Sequence, residues 1–188
     1  LHLCHHNLEK MGTDKIDSGN AKHKLLAEVC YAAIHEGESL RGQHGQHQET
    51  NPGTASQLCT VLARSFADIG DIVRGKDLFY GNPQEKEQRD KLENNLKEIF
   101  KQIHGGLTGG VEERYQDDKE NFFQLREDWW DANRETVWKA ITCKANGTYF
   151  RPTCGDKEKG PSMTPSQCRC AGNIRVPTYF DYVPQFLR

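Results

Sequence analysis

The chain has 188 residues with 25 basic and 27 acidic side chains, a near balance in which bulk charge selects neither nucleic acid nor a membrane surface. Its mean hydropathy of -0.83 and 35% apolar content are low for a self-sufficient core, so something besides apolar burial must hold it together. No apolar run approaches the roughly 20 residues that span a bilayer, and no signal peptide or initiating Met opens the chain, which reads as a piece of a larger extracellular protein.

Residues 1–24 are polar, with Gly12, Asp17, Ser18 and Gly19 as turn signals. Seven of the eight histidines fall within the first 47 residues. His5 and His6 beside Cys4, and His44 with His47, lack the spacing of a zinc site, so no metal or other cofactor is expected. The first amphipathic pattern runs over 25–41, with Leu26, Val29, Cys30, Ala33 and Leu40 on its inner face. The stretch GQHGQHQETNPGT reads as a polar loop. Thr54 is positioned to cap a second helix over 55–74, whose face is Leu58, Cys59, Leu62, Phe66, Ile69, Ile72 and Val73.

A third helix is predicted over 84–104, with Leu92, Leu96, Ile99, Phe100 and Ile103 as its stripe and a solvated outer face of mixed charge. GGLTGG links it to the stretch with the longest helical period, Asn121 to Cys143. Phe122, Leu125, Trp129, Val137, Ala140 and Ile141 keep one face, Asn121 is the expected N-cap, and all three tryptophans lie here. Trp129, Trp130 and Trp138 carry large apolar areas, and core packing outweighs a ligand platform as their role. Trp130 projects about 100° from Trp129, so the helix is expected to touch neighbours on two sides, as a central helix does.

The seven cysteines, Cys4, Cys30, Cys59, Cys143, Cys154, Cys168 and Cys170, form no CxxC pair, which favours disulfides over zinc or redox chemistry. The odd count leaves one unpaired within these residues or paired outside them, and the connectivity is open. Residues 144–175 show no apolar period and read as a long loop region pinned by disulfides. From Lys139 to Arg175 there are seven basic residues against two acidic, a net +5, while the remainder is 18 against 25, a net -7. Asn146-Gly147-Thr148 is a glycosylation sequon suited to an exposed loop.

No GxGxxG, Walker A loop, GxSxG elbow or HExxH is present. The acid pairs Asp68/Asp71 and Glu127/Asp128 read as solvated helix faces, so a binding module is favoured over an enzyme.

Four blocks carry a family likeness: LARSFADIGDIVRGKDLFYGN (62–82), LREDWWDANRETVWKAITC (125–143), TYFRPTC (148–154) and VPTYFDYVPQFLR (176–188). LLAEVCYAAIHEGESL (25–40) extends it upstream. Together they resemble the Duffy-binding-like alpha domain of the variant erythrocyte membrane protein 1 adhesins of Plasmodium falciparum. The resemblance implies a mainly α, disulfide-stabilised helical bundle with long irregular loops. Residues 1–52 would be the end of a first subdomain and 53–188 most of a second, the third being absent. It further implies display on the outer face of the infected erythrocyte by a transmembrane segment far downstream, and exposure to antibodies. Host receptors, heparan sulfate-like glycans and complement receptor 1 are the partners it implies, in cytoadherence and rosetting, and the sequon would go unused. The alternative is a spacer module that presents variable loops without a receptor site of its own.

Expected core residues are Trp129, Trp138, Phe66 and Leu96. For a sulfated glycan, the charge asymmetry selects Lys144, Arg151, Lys157, Lys159, Arg169 and Arg175, since Arg grips a fixed anion bidentately and Lys acts as a point charge.

Overall fold

A computed structural model describes residues 19–50, 58–78, 81–116, 120–147, 149, 151–156, 160–173 and 175–188. Among them are four α-helices: α1 (Ala21–Thr50), α2 (Leu58–Arg74), α3 (Pro83–Gly105) and α4 (Phe123–Ile141). A two-stranded hairpin and four short 3-10 turns complete the set, and the molecule is mainly α.

α1 is longer than its apolar pattern. It buries Ala21, Leu25, Val29, Ala32, Ala33, Glu36 and Leu40, so the inner face is centred one position away from the predicted Leu26 and Cys30, which are only partly covered. The expected loop after Arg41 is instead helix as far as Thr50. Gly42 and Gly45 face open space, and each costs about 1 kcal/mol against Ala, yet the intervening Gln and Glu are good helix formers that let the helix propagate. Gly37 permits a backbone-to-backbone approach, because an added Cβ would overlap the Ile141 carbonyl at the end of α4.

α2 is enclosed on nearly every side, and all seven residues of its predicted face are buried. The expected cap Thr54 lies outside the described residues. α2 runs antiparallel to α4: Phe66 meets Trp138, Gly70 meets Trp130, and Val73 meets Arg126. α4 also packs against α1 and α3, so the central position is shared by α2 and α4.

α3 starts on a capping box. The Asn82 side chain accepts from Glu85 N (2.9 Å) and Glu85 returns the bond to Asn82 N (3.0 Å), with Pro83 at the first helical position. Its five predicted stripe residues are the five it buries. α4 starts differently from expectation. The N-cap position is Phe122, not Asn121, with φ 56° and no side-chain cap. A left-handed Phe is strained, and what holds it is burial of the ring, 5.7 Å from that of His104.

After α4 the expected uninterrupted loop contains a short antiparallel hairpin, β1 (Cys154–Asp156) and β2 (Gly160–Ser162), with Gly155 opposite Pro161. Two disulfides fix this region. Cys154–Cys170 staples the hairpin to the following turn, and Cys59–Cys168 ties that turn to the first turn of α2. Cys30 and Cys143 are free thiols, and Cys4 lies outside the described residues.

Candidate functional site

The basic residues of 139–175 do not form one free surface. Lys139 pairs with Glu135 one turn back (2.7 Å), and Lys144 pairs with Glu38 on α1. The Glu38 carboxylate raises the Lys144 ammonium, and that ammonium in turn lowers Glu38. Arg169 turns inward: Nε donates to Thr142 Oγ1 (2.8 Å) and Nη2 to the Lys139 carbonyl (2.6 Å), so it caps the C-terminal end of α4. Arg151 and Arg175 are exposed. Arg175 lines an open cleft of about 340 Å³ on the hairpin, with Pro152, Thr153, Cys154, Gly155, Gly160 and Pro161, and Arg151 directly precedes Pro152. Lys157 and Lys159 lie outside the described residues, in the segment that joins β1 to β2.

The four expected core residues are all buried: Phe66, Leu96, Trp129 and Trp138. Trp138 Nε1 donates to the Cys168 carbonyl (3.1 Å), so the tryptophan helix holds the disulfide-bearing turn.

The acid pairs depart most from expectation. Asp71 is buried and Asp68 largely covered, and neither lies on a solvated face. Arg188 bonds both, at 3.0 Å to Asp68 and 2.6 Å to Asp71, and Arg74 bonds Asp71 at 3.0 Å. Burial pushes both carboxyls above their ordinary value, and Arg188 works against that shift. Glu127 is paired with Arg74 and Lys76, and Asp128 with Arg114 and the Tyr115 hydroxyl.

These contacts belong to a network that straps residues 176–188 across α2 and α4. The Asp181 carboxylate accepts from Trp130 Nε1 (2.9 Å) and bidentately from Arg134 (2.7 and 2.8 Å). Arg134 also donates to the Thr178 carbonyl and stacks against Phe66, Tyr179 and Tyr182. Arg74 donates to the Asp181 carbonyl, and the Tyr182 hydroxyl to Asp131. At the end of α2, the fully buried Arg126 donates to the Val73 and Ile72 carbonyls and pairs with Glu93 of α3. The only sequence signal for this network is the presence of Arg74, Arg126 and Arg134 within or beside apolar helical faces.

A second cleft, of about 440 Å³, opens between the end of α2, α3 and the start of α4. Ile72, Leu92 and Leu96 give it apolar walls, and the half-exposed Phe123 stands at its lip. Asp77–Arg89 (2.7 Å) and Glu93–Arg126 (2.7 Å) are paired at its rim. Among the described residues no three His, Cys, Asp or Glu side chains group to hold a metal ion.

The architecture is that of a disulfide-pinned helical module whose polar interior is spent on ion pairs. The chain matches the Duffy binding domain over residues 1–188 and belongs to that family. It is similar to the solved N-terminal NTS-DBL1-alpha and CIDR-gamma double domain of the PfEMP1 protein from the Plasmodium falciparum varO strain, at 38% identity and TM-score 0.76, over 99% of this chain and 25% of that one. The NTS-DBL1(alpha-1) domain from the same strain matches at 38% identity and TM-score 0.74, over 99% and 40%. The PfEMP1 IT4var13 DBLbeta domain bound to ICAM-1 matches at 30% identity and TM-score 0.71, over 99% and 40%. The chain thus spans a quarter to two fifths of these solved chains. No curated protein is similar enough to match.

Proposed function

We propose that this chain is part of a host-cell adhesion domain of a variant surface antigen on the infected erythrocyte, acting in cytoadherence and rosetting. The observation that carries the reading is the family match over the whole chain, joined to 38% identity with two solved structures containing a PfEMP1 DBL1-alpha domain. A related DBLbeta domain is bound to ICAM-1, which supports a host receptor as partner in kind. Complement receptor 1, antibodies and a membrane anchor downstream belong to the same proposal. No helix among the described residues is long and apolar enough to cross a membrane. The division into the end of a first subdomain (1–52) and most of a second (53–188) is likewise proposed, although α1 shares one core with α2 and α4.

For a heparan sulfate-like glycan, the proposed face is the hairpin with Arg151, Arg175, Lys157 and Lys159. Its support is the cross-linked frame, which holds exposed cations at fixed positions, as binding loops on rigid scaffolds require. Lys144 and Arg169 leave the proposed set because Glu38 and the end of α4 engage them. One observation favours the spacer reading: with Lys139, three of the seven cations are committed within the fold.

Charge reversal of Arg151 and Arg175 together, in a complete domain that binds heparin, tests the face. Affinity is expected to fall strongly at low salt while the melting temperature holds. Unchanged affinity rejects the glycan face. A folded complete domain that binds neither heparin nor a host-receptor panel supports the spacer.

A further inference from the structure

The cleft between the end of α2, α3 and the start of α4 is not needed by the hairpin face, and it has a charge pattern of its own. Lys86, Asp90, Glu93 and Lys97 recur along α3 at steps of four, three and four, which places them on one side of the helix. Glu93 is neutralised by Arg126, and across the rim Asp77 is neutralised by Arg89. Among the described residues, the side chains of Lys86, Asp90 and Lys97 make no ion pair or hydrogen bond with the rest of the protein. The open charges therefore read plus, minus, plus along an apolar wall of Ile72, Leu92 and Leu96. At 1.5 Å of rise per residue, Asp90 lies about 6 Å and Lys97 about 16 Å beyond Lys86.

This order discriminates between ligand classes. A sulfated glycan is a uniform polyanion and would meet Asp90 and the Asp77 and Glu93 carboxylates. A neutral saccharide would leave three charges uncompensated. An extended polypeptide advances about 3.3 Å per residue and alternates its side chains, so an acid, an apolar residue, a base, an apolar residue and an acid bring complementary charges to one edge and apolar groups to the other. We propose that this cleft is a docking site for an extended segment of a host surface protein with that acid–apolar–base–apolar–acid pattern. Lys86 and Lys97 hold the acids, Asp90 holds the base, and Leu92, Leu96 and Phe123 cover the apolar side chains. The site adds to the adhesion reading and does not depend on the hairpin face.

The test is a titration of the 188-residue chain by heteronuclear NMR with the capped pentapeptide Glu-Leu-Lys-Leu-Glu and its charge-swapped counterpart Lys-Leu-Glu-Leu-Lys. The amides of Gly75, Gly81, Leu92 and Asn121 should shift with the first peptide. The pair Lys86→Glu and Lys97→Glu, combined with Asp90→Lys, should weaken that peptide about tenfold and transfer the preference to the swapped one. If the triple variant fails to fold, Lys86→Gln with Lys97→Gln should still lose the first peptide. Shifts confined to other surfaces overturn the proposal, as does equal response to both peptides. Stronger shifts at these amides from a heparin hexasaccharide or a neutral trisaccharide also overturn it.

Discussion

Asp181 is the residue on which the C-terminal strap depends. Its two carboxylate oxygens receive three donors, one from Trp130 and two from Arg134, with almost no solvent contact. Asp181→Ala would leave the Arg134 guanidinium covered without its counter-charge, a loss of about 3–5 kcal/mol. Urea unfolding followed by tryptophan fluorescence checks this, and a loss below about 1 kcal/mol would mean that the aromatic stack alone holds the strap. Asp68 and Asp71 behave in the opposite sense. Burial raises both above the ordinary 3.8, so the folded state holds their protons more tightly than the unfolded state does. The stability they contribute is complete below pH 3.8 and is lost as pH rises through their raised folded values. These two sites therefore resist acid unfolding. Carboxyl titration by NMR should place both midpoints above 3.8 and those of Glu38 and Glu87, lowered by Lys144 and Lys91, below 4.5. A midpoint for Asp71 below 3.8 would show that Arg188 outweighs burial. None of this was legible in the sequence, because the partners of Asp68 and Asp71 include Arg188, at the far end of the chain. Local charge spacing reports only neighbours within a turn or two of the same helix.

At the scale of the element, apolar period recovered what apolar burial controls. The faces of α2 and α3 came out residue for residue, because each is a stripe pressed on one core. Ends fared worse. The Asn82-Pro83-Gln84-Glu85 capping box was readable, yet the predicted start fell just inside it, whereas the Phe122 start is imposed by a ring packed from another element. α1 ran past its pattern because a polar helix end facing solvent needs no apolar signal to persist. Gly37 makes the α1–α4 contact testable. Gly37→Ala should raise intrinsic helix propensity and still destabilise by about 1–3 kcal/mol, since its Cβ meets backbone that cannot rotate aside. A higher melting temperature for Gly37→Ala would mean that the two helices separate at little cost.

For the whole molecule, the low apolar content pointed to cross-links, and the fold shows where they act. Cys154–Cys170 closes a separation of 16 residues and Cys59–Cys168 one of 109, worth about 3 and nearly 5 kcal/mol in the loop-entropy account. Reduction should lower the melting temperature seen by circular dichroism, with Cys59→Ser/Cys168→Ser costing more than Cys154→Ser/Cys170→Ser. An unchanged melting temperature after complete reduction would leave the core as the sole support. The need for disulfides was legible in composition, while their pairing was not, since cysteine spacing alone carries no connectivity. The basic surface was half legible for a similar reason: a count of charges gives the sum, and only the fold shows that Lys144 and Arg169 face partners.

The Cys59–Cys168 bond has a topological consequence. The glycine-rich connection after α3 is open to solvent, with Gly105, Gly109 and Gly110 facing empty space. One proteolytic cut there divides the polypeptide into a piece bearing Cys59 and a piece bearing Cys168, and the bond between them survives the cut. A singly nicked molecule should therefore migrate as one band on a denaturing gel without reductant and as two with it. The nicked adhesin keeps both halves in register, so a protease at the cell surface can open this connection without shedding either half.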